Sequence, residues 1–130
     1  MNLLRTEIGK MLQVERREGG FGAVLTVDGN LPIFPDHFPD QAILPGICLV
    51  QAVLLAGAIQ QDVEELRIRT LKNLKFMLPV RPGQRVSIDA QLIPAGDGDF
   101  VIKAKLSVEE RRCAEISLVA TPIRSAERGR

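Results

Sequence analysis

The sequence predicts an α+β fold in which a curved antiparallel sheet wraps around one long central helix. Three observations predict it. From Gly46 to about Gln61 the chain is apolar on nearly every helical face, through Ile47, Leu49, Val50, Val53, Leu54, Leu55, Ala56 and Ala58. A helix without a polar side has to be enclosed. Farther on, residues 84–93 and 100–108 alternate apolar and polar side chains, which is the signature of half-buried antiparallel strands. Between the first hairpin and the helix, prolines at 32, 35, 39 and 45 forbid regular structure, because proline fixes φ and lacks an N–H.

Each element follows in order. Met11 to Glu15 alternates weakly, Gly19-Gly20 supplies a turn, and Phe21 to Val27 reads as a strand, so a hairpin is expected. Asp28-Gly29-Asn30 ends it. Pro32 to Pro45 forms a stiff, irregular loop. The buried helix runs from Gly46 to Gln60-Gln61-Asp62. Arg69 to Met77 is a strand, broken by Leu78 to Gly83. Gln84 to Ile93 places Val86, Ile88, Ala90 and Leu92 on one face against Ser87, Asp89 and Gln91. Gly96 to Asp99 is a turn, Phe100 to Val108 a strand, Glu109 to Arg112 a polar turn, and Cys113 to Thr121 the last strand. Residues 1–124 are expected to form one domain. The charged tail 125–130 lacks apolar anchors and is expected to be disordered.

Composition excludes several functions. The 130 residues carry a formal net charge of +1, so no strong field favours nucleic acid or an anionic membrane. Tyr and Trp are absent and Phe numbers five, too few exposed rings for base stacking. Cys48 and Cys113 fall in apolar stretches. No Cys/His spacing suits a zinc site, and no cofactor is called for. Residues 42–59, the longest apolar run, are interrupted by Pro45, Gly46 and Gln51 and are too short to span a membrane. The N-terminus lacks the long apolar segment of a signal peptide. A reduced, cytoplasmic compartment is the expectation.

The chain's only histidine, His37, sits in HFPDQAILPG (residues 37–46). This stretch resembles the HFPxxPxxPG signature of the FabZ/FabA-type β-hydroxyacyl-[acyl carrier protein] dehydratases. His37, Phe38, Pro39, Pro45 and Gly46 match at the right spacing. Downstream, LKNLKFMLPVRPGQRV (71–86) is similar to the family's strand-turn-strand motif. The resemblance covers about Ala23 to Ala120 and is nearest to the short FabZ-like subgroup of aryl-polyene-type pathways. It implies the hot-dog fold, a dimer or a trimer of dimers with sites shared across the interface, and a 3-hydroxyacyl-thioester substrate on acyl carrier protein or coenzyme A. Two positions depart from the signature. Ala42 replaces the second proline. Gln51 stands where the family has Glu or Asp on the central helix.

Dehydrating a 3-hydroxyacyl thioester needs a base for the Cα proton, an acid for the leaving hydroxyl, and donors for the enolate oxygen. His37 suits the base, or else it only packs the loop. Gly46, at a helix start where amides are unpaired, suits the oxyanion donor, or else it serves loop geometry. Gln51 can orient a hydroxyl or water but cannot donate a proton as a carboxylic acid does. Asp40, and less readily Asp36, are the nearby carboxylates. Phe38, Pro45, Leu54, Leu55, Phe76, Met77 and Leu78 would line an acyl tunnel, although plain core explains most of them. The resemblance implies that Lys72, Lys75, Arg81 and Arg85 dock the acidic acyl carrier protein; ordinary surface cations are the alternative. The leading expectation is therefore a dehydratase. The alternatives are a weakened or non-catalytic hot-dog subunit, including a heterodimer partner that supplies only the histidine, and an acyl thioesterase.

Overall fold

A computed structural model describes residues 2–30 and 43–123, with side chains from Arg5 onward. The elements run α1 (Asn2–Met11), β1 (Leu12–Arg17), β2 (Gly20–Thr26), α2 (Gly46–Gln61), β3 (Glu65–Phe76), β4 (Arg85–Pro94), β5 (Phe100–Val108) and β6 (Arg111–Ile123). The six strands form one sheet in the order β1-β2-β4-β5-β6-β3, and every neighbouring pair is antiparallel.

Helix α2 explains the rest. Pro45 precedes it in an extended conformation, and Asp62 closes it in the left-handed region at φ 54°. The Asp62 N–H reaches Ile59 O, and Val63 N–H reaches Ala58 O. The first turn carries no acid and the last turn no base, so charge does little to hold this helix. Burial does. Leu49, Val50, Val53 and Leu54 are each under a tenth exposed, and burying such a side chain is worth about 1.5–3 kcal/mol. Gly57 lets the helix lie close to the sheet. A Cβ there would stand 2.8 Å from Leu66 Cδ1.

Alternation decides the strands. In β4, Val86, Ile88, Ala90 and Leu92 point to the core, while Ser87, Asp89 and Gln91 face solvent. β5 turns Ile102, Ala104, Leu106 and Val108 inward, and β6 turns Cys113, Ile116, Leu118 and Ala120 inward. Irregular register at Ile68/Thr70 and Leu71/Asn73 in β3, and at Leu106/Ser107 in β5, adds the local bending that bulges produce. The sheet thus curls around α2, which packs against β1, β2, β3 and β6.

Some details differ from the sequence expectation. Residues 2–11 form α1, whose Ile8 is fully buried and which packs on α2. Charges at positions 5, 7 and 10 broke the apolar pattern and hid this helix. β3 begins at Glu65 rather than Arg69. The sequence also suggests that residues 84–93 and the strands beside them extend one sheet across a pair of chains; β4 itself has both edges occupied, by β2 and β5. Among the described residues, the open edges belong to β1 and β3. The proline loop up to Ala42 and the charged tail lie outside the described residues.

Candidate active site

The N-terminal end of α2 opens onto an apolar groove of about 460 Å³. Two chain segments meet there. Ile43, Pro45, Gly46 and Leu49 come from the entry into α2, and Phe76, Met77 and Leu78 come from the end of β3 and the turn after it. One backbone bond joins the two and another ties the second to β6. Leu44 N–H donates to Val80 O at 2.7 Å, and Met77 N–H donates to Cys113 O at 2.8 Å. The turn itself is tied down by Gly83 N–H to Val27 O at 2.8 Å, with Gly83 at φ 85°.

Gly46 is the first residue of α2, and the first amides of a helix have no partner within it. The Cys48 N–H already donates to Pro45 O at 2.9 Å. The donors nearest the groove are therefore those of Gly46 and Ile47. Phe76 rests on this turn. Its ring carbons lie 2.8–3.0 Å from where a Cβ on Gly46 would stand, so any larger residue at 46 would displace the ring.

The groove has no charged lining among the described residues. Cys48, one turn in, is fully buried, and burial pushes its thiol up to about 11. It is neutral near pH 7 and unsuited to nucleophilic attack. Burial likewise raises the Cys113 thiol.

Gln51 lies on the side of α2 that the chain's own sheet leaves uncovered. Ile47, Gln51, Leu55 and Ile59 follow one another at four-residue spacing, and Ile47 and Ile59 are about half exposed. Residues so spaced share one helical face. That face is apolar apart from the single amide.

Of the residues singled out in the sequence, the structure brings Pro45, Gly46, Phe76, Met77 and Leu78 to one groove. Leu54 and Leu55 are not part of it. Leu54 is core, and Leu55 packs half-buried against the core. Eight residues along a helix put Leu54 about 12 Å from Gly46, too far to share the mouth. Lys72, Lys75, Arg81 and Arg85 are all exposed. His37, Phe38, Asp36 and Asp40 lie outside the described residues. Sequence reading missed Asp99. This carboxylate is nearly buried, accepts from Arg69 Nη1 at 2.6 Å and from Thr121 Oγ1 at 2.9 Å, and so clamps β3 and β6 to the β4–β5 turn. The bond from Thr121 first, then that from Arg69, holds its pKa below the ordinary carboxylate range. Its place in a Gly-Asp-Gly-Asp turn gave no signal beyond the turn itself.

A single antiparallel sheet curled round a buried helix is the hot-dog fold. Solved structures match it at the level of fold. One is the PaaI protein of E. coli, 12% identical with a TM-score of 0.64, covering 92% of this chain and 88% of that one. Another comes from the dehydratase heterocomplex ApeI:P of Xenorhabdus doucetiae, 17% identical with a TM-score of 0.62, covering 84% of this chain and 94% of that one. Closer in sequence is the 3-hydroxyacyl-[acyl-carrier-protein] dehydratase FabZ of a Wolbachia strain from Drosophila simulans. It is 30% identical over 104 residues, which are 75% of this chain and 73% of the relative. Residues 13–115 match the ApeI-like family, described as ApeI dehydratase. The chain belongs to that dehydratase family.

Proposed function

We propose that the chain is a 3-hydroxyacyl-thioester dehydratase acting on acyl chains carried by acyl carrier protein, in fatty-acid or polyene-like biosynthesis. The observation that carries the reading is the groove. An apolar slot suited to an acyl chain ends at the first amides of α2, which have no partner within the helix, at the LPG end of the histidine motif. In this reading the thioester oxygen accepts from the Gly46 amide, and the helix dipole favours the charge that develops there. His37 takes the Cα proton. The electron pair forms the Cα–Cβ double bond as the Cβ–O bond breaks, and the same imidazolium returns the proton to the departing hydroxyl as water. Gln51 holds that hydroxyl by hydrogen bonding. Substituting an amide for a general acid forfeits about 10²–10⁴-fold in rate, so the enzyme is slow unless His37 performs both transfers. Lys72, Lys75, Arg81 and Arg85 are the surface cations for an acidic carrier. No helix among the described residues is long and apolar enough to cross a membrane, which accords with a cytoplasmic place of action.

The working unit in this reading is at least a pair of chains. β3 is an open edge, and Ile68, Leu71, Leu74 and Phe76 along it are 37–52% exposed. Pairing there would extend the sheet, cover the Ile47–Ile59 stripe of α2 and enclose Gln51. Gln51 also supports a second reading, in which the partner is a sister chain that contributes the carboxylate and this chain only its histidine.

Hydration of a crotonyl thioester, followed by loss of enoyl absorbance, separates the two. The first reading expects an active wild type, at least a 100-fold loss in His37→Ala, on the order expected for a proton-transferring group, and little change in Gln51→Glu. A silent wild type that Gln51→Glu switches on supports the sister-chain reading. Activity that survives His37→Ala overturns both.

A further inference from the structure

We propose that Phe76 is a specificity-determining residue that restricts the site to thioesters unbranched at the carbon next to the carbonyl. The inference rests on the dehydratase reading and adds a substrate restriction to it.

Among the described residues, the geometry is tight where Phe76 meets Gly46. The groove is lined by apolar side chains, and its mouth is flanked by Phe76 and Met77, which are 48% and 44% exposed. At the mouth the ring of Phe76 lies against Gly46, with three ring carbons 2.8, 2.9 and 3.0 Å from the position of an added Cβ. That volume is one methyl group, and the ring already fills its border. A thioester oxygen bonded to the Gly46 amide at about 2.9 Å puts the carbon beside the carbonyl about 5 Å from the Gly46 backbone. In this reading that carbon passes beside the Phe76 ring, which packs on Gly46. A straight chain can run past the ring into the slot beside Leu49 and Leu78. A methyl branch at the first carbon would meet either Phe76 or the helix turn.

The ring is held in place from behind. Phe76 is the last residue of β3 and pairs with Ala114 of β6, and the next residue is anchored by its bond to Cys113 O. The backbone under the ring is therefore fixed. Relief must come from side-chain rotation, which the Gly46 contact opposes on one side. Because Phe76 is 48% exposed, replacing it should leave the fold intact, as circular dichroism would verify.

The test compares crotonyl-pantetheine with 2-methylcrotonyl-pantetheine as hydration substrates for wild type, Phe76→Ala and Phe76→Leu. The unreactive amide analogues of butyryl- and 2-methylbutyryl-pantetheine serve as binding probes, read by the shift of the Gly46 amide resonance. One methyl is worth about 10–200-fold in a close-packed pocket. Wild type should discriminate within that range in both rate and binding. Phe76→Ala should reduce the discrimination at least about fivefold, by accepting the branched compound rather than rejecting the straight one, and Phe76→Leu should retain most of it. Equal discrimination in wild type and Phe76→Ala overturns the proposal, as does an equal loss for both compounds in Phe76→Ala. If no variant hydrates any thioester, the dehydratase reading falls, and the ratio of the two analogues' affinities decides the role of Phe76 alone.

Discussion

Strands β4 and β3 belong to the same sheet and have similar lengths, yet their surroundings are opposite. β4 is flanked on both edges, and its apolar residues alternate cleanly into the core. β3 has one free edge. After Leu66, at 3% exposed, every residue through Phe76 is exposed, including the apolar Ile68, Leu71, Leu74 and Phe76. Scattered exposed apolar residues are ordinary, but a row of them on an unpaired edge strand is a template for another strand. β4 is completed by its own chain. β3 has one edge unpaired among the described residues, and the candidate groove lies at its end.

This contrast can be broken by experiment. Ile88→Ala in β4 should destabilise the chain by about 2–5 kcal/mol in urea unfolding, because Ile88 is buried at 3% exposed and its truncation removes core contacts. A cost below about 1 kcal/mol would mean that β4 is not the packed strand described here. Leu71→Asp combined with Leu74→Asp should leave far-ultraviolet circular dichroism unchanged while weakening self-association at least about tenfold in sedimentation equilibrium, the equivalent of about 1.4 kcal/mol. An unchanged mass would remove β3 from the interface.

A subtler test concerns the clamp that joins the two regions. Asp99→Asn should lower the thermal midpoint by a few degrees at pH 7, since it removes the charge that Arg69 and Thr121 hold. The folded carboxyl binds its proton more weakly than the unfolded one. Its stabilisation is therefore complete above the ordinary carboxylate range near pH 4 and fades as the pH falls through the lowered folded value. Wild type and Asp99→Asn should converge in melting temperature below that range, and parallel curves would show that the clamp carries no charge-linked stability. The smallest effect is expected for Leu71→Ala. At dilutions where the chain is monomeric, it should shift unfolding by no more than about 0.5 kcal/mol. A loss as large as that of Ile88→Ala would erase the distinction between the two strands.

Much of this molecule was written in its sequence, wherever the determinant was a local pattern. The apolar circumference of α2 and the alternation in β4 and β5 prescribed a helix enclosed by a curved antiparallel sheet, because burial follows side-chain periodicity. The LPG step foretold a helix start at Gly46, since Pro45 can precede a helix but cannot continue one backwards. Other features depend on which distant residues meet. Among its described side chains, α1 is anchored by the buried Ile8 and by Arg5 donating to Glu64 O across 59 positions of sequence, contacts that its local pattern does not announce. Leu54 and Phe76 look equally apolar in sequence. Helical rise carried the first into the core, and the end of β3 carried the second onto Gly46. Which strand would be left with an open edge was likewise a matter of sheet order, which no single strand encodes. Periodicity fixes what a segment must bury. Only the tertiary arrangement decides what it is buried against, and what remains open for a substrate or a second chain.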